Sequence, residues 1–182
     1  MMSNHDQPRH IDRYGTGGDA EARARAAALL LLTMPGTPFL YYGEEFGMRN
    51  GKLRYRDLRD PYTKRFWPFR PGRDSARTPM QWDASLHAGF TTHRPWLPLP
   101  PDSSRRNVAA EAADPRSLWS LYRQLLALRR VSPALSRGDY HVIEGSPRDC
   151  LLYEREARTE MGTVERMLVA VNFSQRPCEF AL

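Results

Sequence analysis

The run AEARARAAALLLLTMPGTPFLYY, residues 20 to 42, constrains the fold of this chain more than any other stretch. Ala20 to Met34 is made of strong helix formers, with Asp19 placed to cap it. The second half of that helix is apolar on every side, so it has to be buried. PGTP at 35 to 38 stops the helix, and FLYY at 39 to 42 has the brevity and aromatic content of an interior strand. Loop, helix, turn and buried strand in this order predict a parallel α/β fold.

A chain of 182 residues has room for one ordinary domain with a small appendage. From Gly43 to about Asp114 prolines are frequent and periodic stretches are few, the pattern of a functional or a disordered loop. Its aromatics, Phe66, Trp67, Phe69, Trp82, Phe90 and Trp96, argue for a folded one, because disordered segments are poor in such residues. SLWSLYRQLLALRRVSPAL at 117 to 135 predicts an amphipathic helix capped by Ser117 and ended by Pro133. Its apolar face is Leu118, Leu121, Tyr122, Leu125, Leu126 and Leu128, with arginines near the C-terminal end. Beyond it YHVIEG, CLLYERE, RMLVAVNF and CEFAL alternate between turn segments, as four strands of an antiparallel meander do.

The formal charge is +6, and Lys52 and Lys64 are the only lysines among 27 basic residues. A nucleic-acid surface would gather its arginines on one face with aromatic partners. Here they are spread from Arg9 to Arg176 among 21 acidic residues, so the charge reads as a solvated surface and no nucleic-acid partner is expected. The longest apolar run, Ala26 to Met34, is too short to cross a bilayer, and no signal peptide is visible. The expectation is a soluble cytoplasmic chain with no membrane partner. Cys150 and Cys178 match no metal-ligand spacing; they could pair, but without a signal peptide free thiols in a reducing compartment are the expectation.

NHDQPR at 4 to 9, GTPFLYYGEEFGM at 36 to 48, and GRDSARTPMQWD at 72 to 83 continued by AGFTTHRPWLPL at 88 to 99 together resemble the α-amylase superfamily of glycoside hydrolases, family thirteen. The third stretch is similar to the pocket-lining loop of the exo-acting oligosaccharide glucosidases, of the α-glucosidase and oligo-1,6-glucosidase kind. The resemblance covers nearly the whole chain and implies the C-terminal part of a (β/α)₈ barrel. Residues 1–138 would hold the end of unit seven and unit eight, with a pocket-lining loop at 43–114, and 139–182 would be a partial antiparallel β domain. Such a barrel takes about 250 residues and carries its active site on loops at the C-terminal ends of its strands. On this reading the chain starts where the enzyme is already mostly built.

By the same resemblance Asp6 matches the third family carboxylate, which grips sugar hydroxyls in the subsite of cleavage, and His5 matches the histidine that donates to those hydroxyls. A loop turn closed by an Asx hydrogen bond is the alternative for His5 and Asp6. Arg77 matches the arginine that closes the pocket and recognises the terminal glucose; without its family partner it is expected to turn to water or to a local acid such as Asp74. Arg9 is expected to order the loop or bind on the leaving-group side, with structural ion pairing as the alternative. Glu44 and Glu45 leave a strand on opposite faces and read as structural. Gln81 and Trp82 line the pocket or form the loop's local core. No metal site and no cofactor are implied.

Retaining glycoside hydrolysis needs two carboxylates about 5 to 5.5 Å apart, a nucleophile and an acid/base. The resemblance matches no residue here to either. The expected function is therefore that of an α-glucosidase-like hydrolase of short α-linked gluco-oligosaccharides, inactive as the isolated chain. A trehalose synthase or other transglycosylating relative, and a non-catalytic relative, are the alternatives. An opened barrel edge would also lead to self-association.

Overall fold

A computed structural model describes residues 1–15, 18–69 and 72–180. The chain divides into two compact units, Met1–Ala24 with Phe39–Leu121 and Arg25–Pro38 with Tyr122–Leu182. Its helices are α1 (His10–Tyr14), α2 (Ala20–Thr33), α3 (Pro61–Phe66), α4 (Val108–Ala113), α5 (Leu118–Val131) and α6 (Pro133–Arg137), followed by β1 (Asp139–Val142), β2 (Cys150–Arg158) and β3 (Val164–Asn172).

In the first unit Ile11, Phe46, Met48, Leu58, Leu97 and Leu118 are nearly inaccessible to solvent. Phe39 to Tyr42, expected as an interior strand, forms none: residues 39–41 have no regular structure, Tyr42 begins a turn, and Phe39 is 64% exposed. A strand exists only by pairing, and no parallel neighbour lies among the described residues to take its N–H and C=O groups. The long loop is folded, as expected, but not around its aromatics: Trp67, Phe69, Trp82, Phe90 and Trp96 all lie largely at the surface. Polar residues order it instead. Asp60 caps α3 by accepting from Thr63 N and Oγ1, and also takes Arg73. Asp74 accepts the backbone N–H groups of Arg59 and Asp60 at 2.7 and 2.8 Å. Asn107 caps α4 through Ala110 N, and Gln81 donates to the Arg106 carbonyl. These bonds offset the cost of burying the polar groups that make them, although Gln81 Oε1 and Thr78 Oγ1 are buried with no hydrogen-bond partner among the described residues.

In the second unit the apolar turns of α2 pack on the sheet. Tyr153, Val169 and Val171 form the buried centre, with Ala26, Leu29, Leu30 and Met34 against them. The sheet is antiparallel in the order β1-β2-β3, with Tyr153 opposite Val142 on one side and Val169 on the other. The open carbonyls at the end of α2 are taken by two buried arginines: Arg129 donates to Leu32 O, Met34 O and Gly36 O, and Arg155 to Thr33 O. Helix ends leave such carbonyls unpaired, and a cation there also meets the negative end of the dipole.

Several expectations need correction. The helix predicted over 117 to 135 is two helices; Ser117 caps the first through Ser120 N, and Ser132 caps the second through Leu135 N with Pro133 at its first position. Leu126 and Leu128 point outward, and Arg129 takes the inward position after Leu118, Tyr122 and Leu125. The meander has three strands, because Cys178 to Phe180 form none, and Ala181 and Leu182 lie outside the described residues. Cys150 and Cys178 are joined in a disulfide instead of being free thiols, which removes the thiol argument for a reducing compartment. Sequence spacing could not reveal that pairing, since it depends on the tail after β3 returning to the start of β2. Among the described residues no helix is long and apolar enough to cross a membrane.

Candidate active site

Asn4 to Gln7 closes a tight turn at the start of the first unit, bridged Asn4 to Gln7, in which Asn4 Oδ1 accepts Asp6 N at 2.8 Å. The Asx hydrogen bond considered for this loop is therefore present, and it presents His5 and Asp6 to solvent. Asp6 Oδ2 is 3.3 Å from His5 Nε2. Its other oxygen takes Arg77 Nη2 at 2.9 Å, while Arg77 Nε donates to the His5 carbonyl at 2.9 Å. A guanidinium fork spanning a carboxylate and a backbone carbonyl fixes both loops relative to each other. Arg73 Nη1 stands 3.6 Å from Asp6, while its Nη2 donates to Asp60 at 2.6 Å. Hydrogen bonds from Arg73 hold the Asp60 carboxyl well below the usual carboxylate range, so Asp60 stays an anion and cannot give up a proton.

Arg77 was expected to turn to water or to a local acid such as Asp74; it meets an acid, but that acid is Asp6. Asp74 is buried and engaged by backbone N–H groups. Arg9 lies elsewhere. Its guanidinium is buried, donating to Tyr42 O at 2.5 Å and Ala76 O at 3.0 Å and lying over the rings of Tyr41 and Tyr42. Burial pulls its pKa down, and the π faces and carbonyls take the place of a carboxylate partner. Gly43 makes this possible: its φ is +80°, and a Cβ there would sit 2.7 Å from Met48 Cβ and 3.1 Å from Arg9 Nη1.

Tyr41 and Tyr42 hydroxyls donate to Ala76 O at 3.1 and 3.3 Å, and Tyr42 also donates to Thr78 O at 2.7 Å. Burial raises the Tyr42 phenol above its ordinary value, which keeps it a donor. The 73–78 turn that carries Arg77 thus hangs from Tyr41 and Tyr42. Beside it opens a cavity of about 450 Å³ lined by Tyr42, Glu45, Arg77, Trp82, Phe90 and Trp96, among others. Apolar and aromatic walls with a few polar groups suit a sugar ring, whose C–H faces stack on aromatics.

Glu44 and Glu45 do face different ways, but they are not equivalent. Glu44 is buried, with Oε1 3.4 Å from His10 Nδ1 and Oε2 accepting Tyr41 N. Burial pushes its pKa up to about 7 and that of His10 down to about 4. Glu45 lines the cavity, its pKa also raised by burial. Sequence reasoning missed Glu45 and Arg73 as site residues. The signal for Arg73 was available, since it sits four residues before Arg77 on one tight turn. Of the two residues left open, Gln81 is buried and structural, whereas Trp82 is half exposed in the cavity wall.

A charged pair beside an aromatic-walled cavity is a lining that suits a carbohydrate ligand. The chain belongs to the alpha-amylase family: the alpha amylase catalytic domain matches residues 1–138. It is 42% identical to a probable alpha-glucosidase of Rhizobium meliloti (strain 1021) over 79% of this chain and 26% of that protein. It is 37% identical to the oligo-1,6-glucosidase of Parageobacillus thermoglucosidasius over 100% of this chain and 35% of that one. Among solved structures it matches an inactive double mutant of MutB with a TM-score of 0.82 at 36% identity, over 100% of this chain and 35% of the other. It also matches the trehalulose synthase MutB from Pseudomonas mesoacidophila MX-45 with a TM-score of 0.78 at 39% identity, over 94% and 34%. The chain thus spans about a third or less of the relatives it matches. The family and these curated relatives are glycoside hydrolases, and the structural neighbours carry the TIM-barrel catalytic domain.

Proposed function

We propose that this chain is the glucose-gripping arc of a retaining α-glucosidase-type hydrolase acting on short α-linked gluco-oligosaccharides. Residues 1–138 supply the end of barrel unit seven, unit eight and the pocket loop, and 139–182 the attached antiparallel domain. The observation that carries this reading is the Asp6–Arg77 pair at 2.9 Å beside the aromatic cavity. Asp6 accepts and His5 donates hydrogen bonds to the hydroxyls of the terminal glucose, Arg77 closes its end of the pocket, and Trp82 and Trp96 stack on the sugar. Arg9 serves the site without touching sugar, by tying Tyr42 to Ala76. Bonds from Asp6 aid catalysis only insofar as they tighten when the sugar ring flattens toward the oxocarbenium-like transition state.

The nucleophile and the acid/base come from elsewhere, so the isolated chain binds sugar weakly and turns nothing over. Its 39–42 segment, with exposed Phe39 and Leu40, is the edge through which copies self-associate.

A second reading, glucosyl transfer or isomerisation in place of hydrolysis, is favoured by the match to trehalulose synthase MutB. The acceptor, water or sugar, is decided by loops that include the Glu45 and Trp96 wall.

The test is a chimera in which residues 1–138 replace the matched segment of the Parageobacillus thermoglucosidasius oligo-1,6-glucosidase. It should cleave p-nitrophenyl α-glucoside, lose that activity on Asp6→Asn, and reveal transfer by its products with sucrose. The chain alone should release no nitrophenol; turnover by it would overthrow the assignment of the catalytic carboxylates to other segments.

A further inference from the structure

A second cavity in the first unit, of about 500 Å³, is lined by Arg56, Asp57, Arg59 and Arg94. Its charges do not balance. Arg94 reaches Asp57 only at 3.9 Å, the outer limit of an ion pair. Arg59 spends its Nε on the Trp96 carbonyl at 3.3 Å. Arg56, on the Tyr55–Asp57 turn, forms no ion pair among the described residues. Arginines facing one carboxylate leave an excess of two positive charges around a space that holds more than a water molecule. The three arginines are exposed, so water and salt already weaken their mutual repulsion, and an anion seated among them lowers it further. Guanidinium forks match tetrahedral oxyanions bidentately, and together they offer more N–H donors than the two oxygens of a carboxylate can accept.

We propose that this cavity binds a phosphate monoester group, or free inorganic phosphate through the same oxygens, with Arg56, Arg59 and Arg94 as donors. A dianion matches the two uncompensated charges. Asp57 competes with it for Arg94 and weakens binding. Arg59 also connects the site to sugar chemistry: the Trp96 it holds contributes to the wall of the Arg77 cavity. A phosphate carried on a sugar would then be held beyond Trp96 with its ring in that cavity. The phosphate site itself does not depend on the sugar reading.

Titration calorimetry of the full chain with inorganic phosphate, glucose 6-phosphate and glucose tests this. Saturable phosphate binding with a Kd of about 1 mM or tighter is expected. It should weaken by about tenfold or more in Arg56→Gln/Arg94→Gln, and tighten in Asp57→Asn, a gain that a misfolded variant would not give. Tighter binding of glucose 6-phosphate than of phosphate identifies a sugar phosphate as the ligand, and equal binding identifies free phosphate. Failure of glucose alone to bind would count against the sugar reading and leave this one intact. No saturable binding of either anion, or binding unchanged in the double arginine variant, overturns the proposal.

Discussion

Asp6 and Arg77 stand 71 residues apart in the chain and meet at 2.9 Å, so two separate loops present one charged surface. Both side chains remain partly in water, Asp6 about half exposed. An exposed pair of this kind contributes about 0.2 to 1 kcal/mol to stability. A double-mutant cycle with Asp6→Asn and Arg77→Gln, followed by urea unfolding, should therefore give a coupling energy under about 1 kcal/mol. In the glucosidase chimera the same single changes should each lower kcat/KM by about a hundredfold or more, the cost of losing hydrogen bonds made to sugar in the transition state. Large stability effects with small kinetic ones would mark the pair as scaffold.

Arg9 should behave the other way round. Its guanidinium is buried against Tyr42 O and Ala76 O, and Arg9→Met leaves the Tyr42 carbonyl without its donor and Ala76 O with the tyrosine hydroxyls alone. The expected loss is about 2 to 4 kcal/mol, seen as a lower urea midpoint with an unchanged slope. Arg9→Lys should rescue little, since a compact ammonium cannot fork across both carbonyls.

The buried Glu44–His10 pair predicts an unusual pH response. Folding raises Glu44 from 4.5 to about 7 and lowers His10 from 6.5 to about 4. Between about pH 4.5 and 6.5 the unfolded pair holds its proton on histidine and the folded pair on glutamate, so proton number is unchanged and the pair adds no slope. In Glu44→Gln only His10 remains. The unfolded state then binds more protons, and stability should rise with pH through that window and level off above 6.5. In His10→Asn the opposite holds: the folded state binds the extra proton on Glu44, and stability should fall as pH rises from 4.5 toward 7. Urea midpoints across the range check both signs.

In the second unit Arg155 donates to Thr33 O, Gly138 O and Asp139 O while buried in the sheet. Arg155→Met should cost about 2 to 4 kcal/mol and expose the β2 and β3 amides to hydrogen exchange. Unchanged protection there would show that water replaces the guanidinium at no cost.

Local pattern carried α2 and the Ser117 cap into the structure, because helix formers and caps act over a few residues. It failed where the outcome depends on partners distant in sequence. FLYY has strand composition, but a ladder needs a neighbour that composition does not supply. The aromatics of the long loop suggested a local core, yet polar pairs such as Asp60 with Arg73 order it and leave the rings at the surface. Arg129 and Arg155 looked like solvated charge, and only the fold shows them on helix-end carbonyls. At the site, the motifs named His5, Asp6 and Arg77 but not what Arg77 would bind, because that bond joins loops of unrelated local sequence.

The carbonyl of Ala76 is approached by Arg9, Tyr41 and Tyr42, one peptide away from Arg77. A single main-chain oxygen is thus the peg on which the turn carrying Arg77 is hung. Anyone transplanting that turn between related enzymes to alter selectivity would have to carry positions 9, 41 and 42 along with it, or the graft would swing free of its mooring.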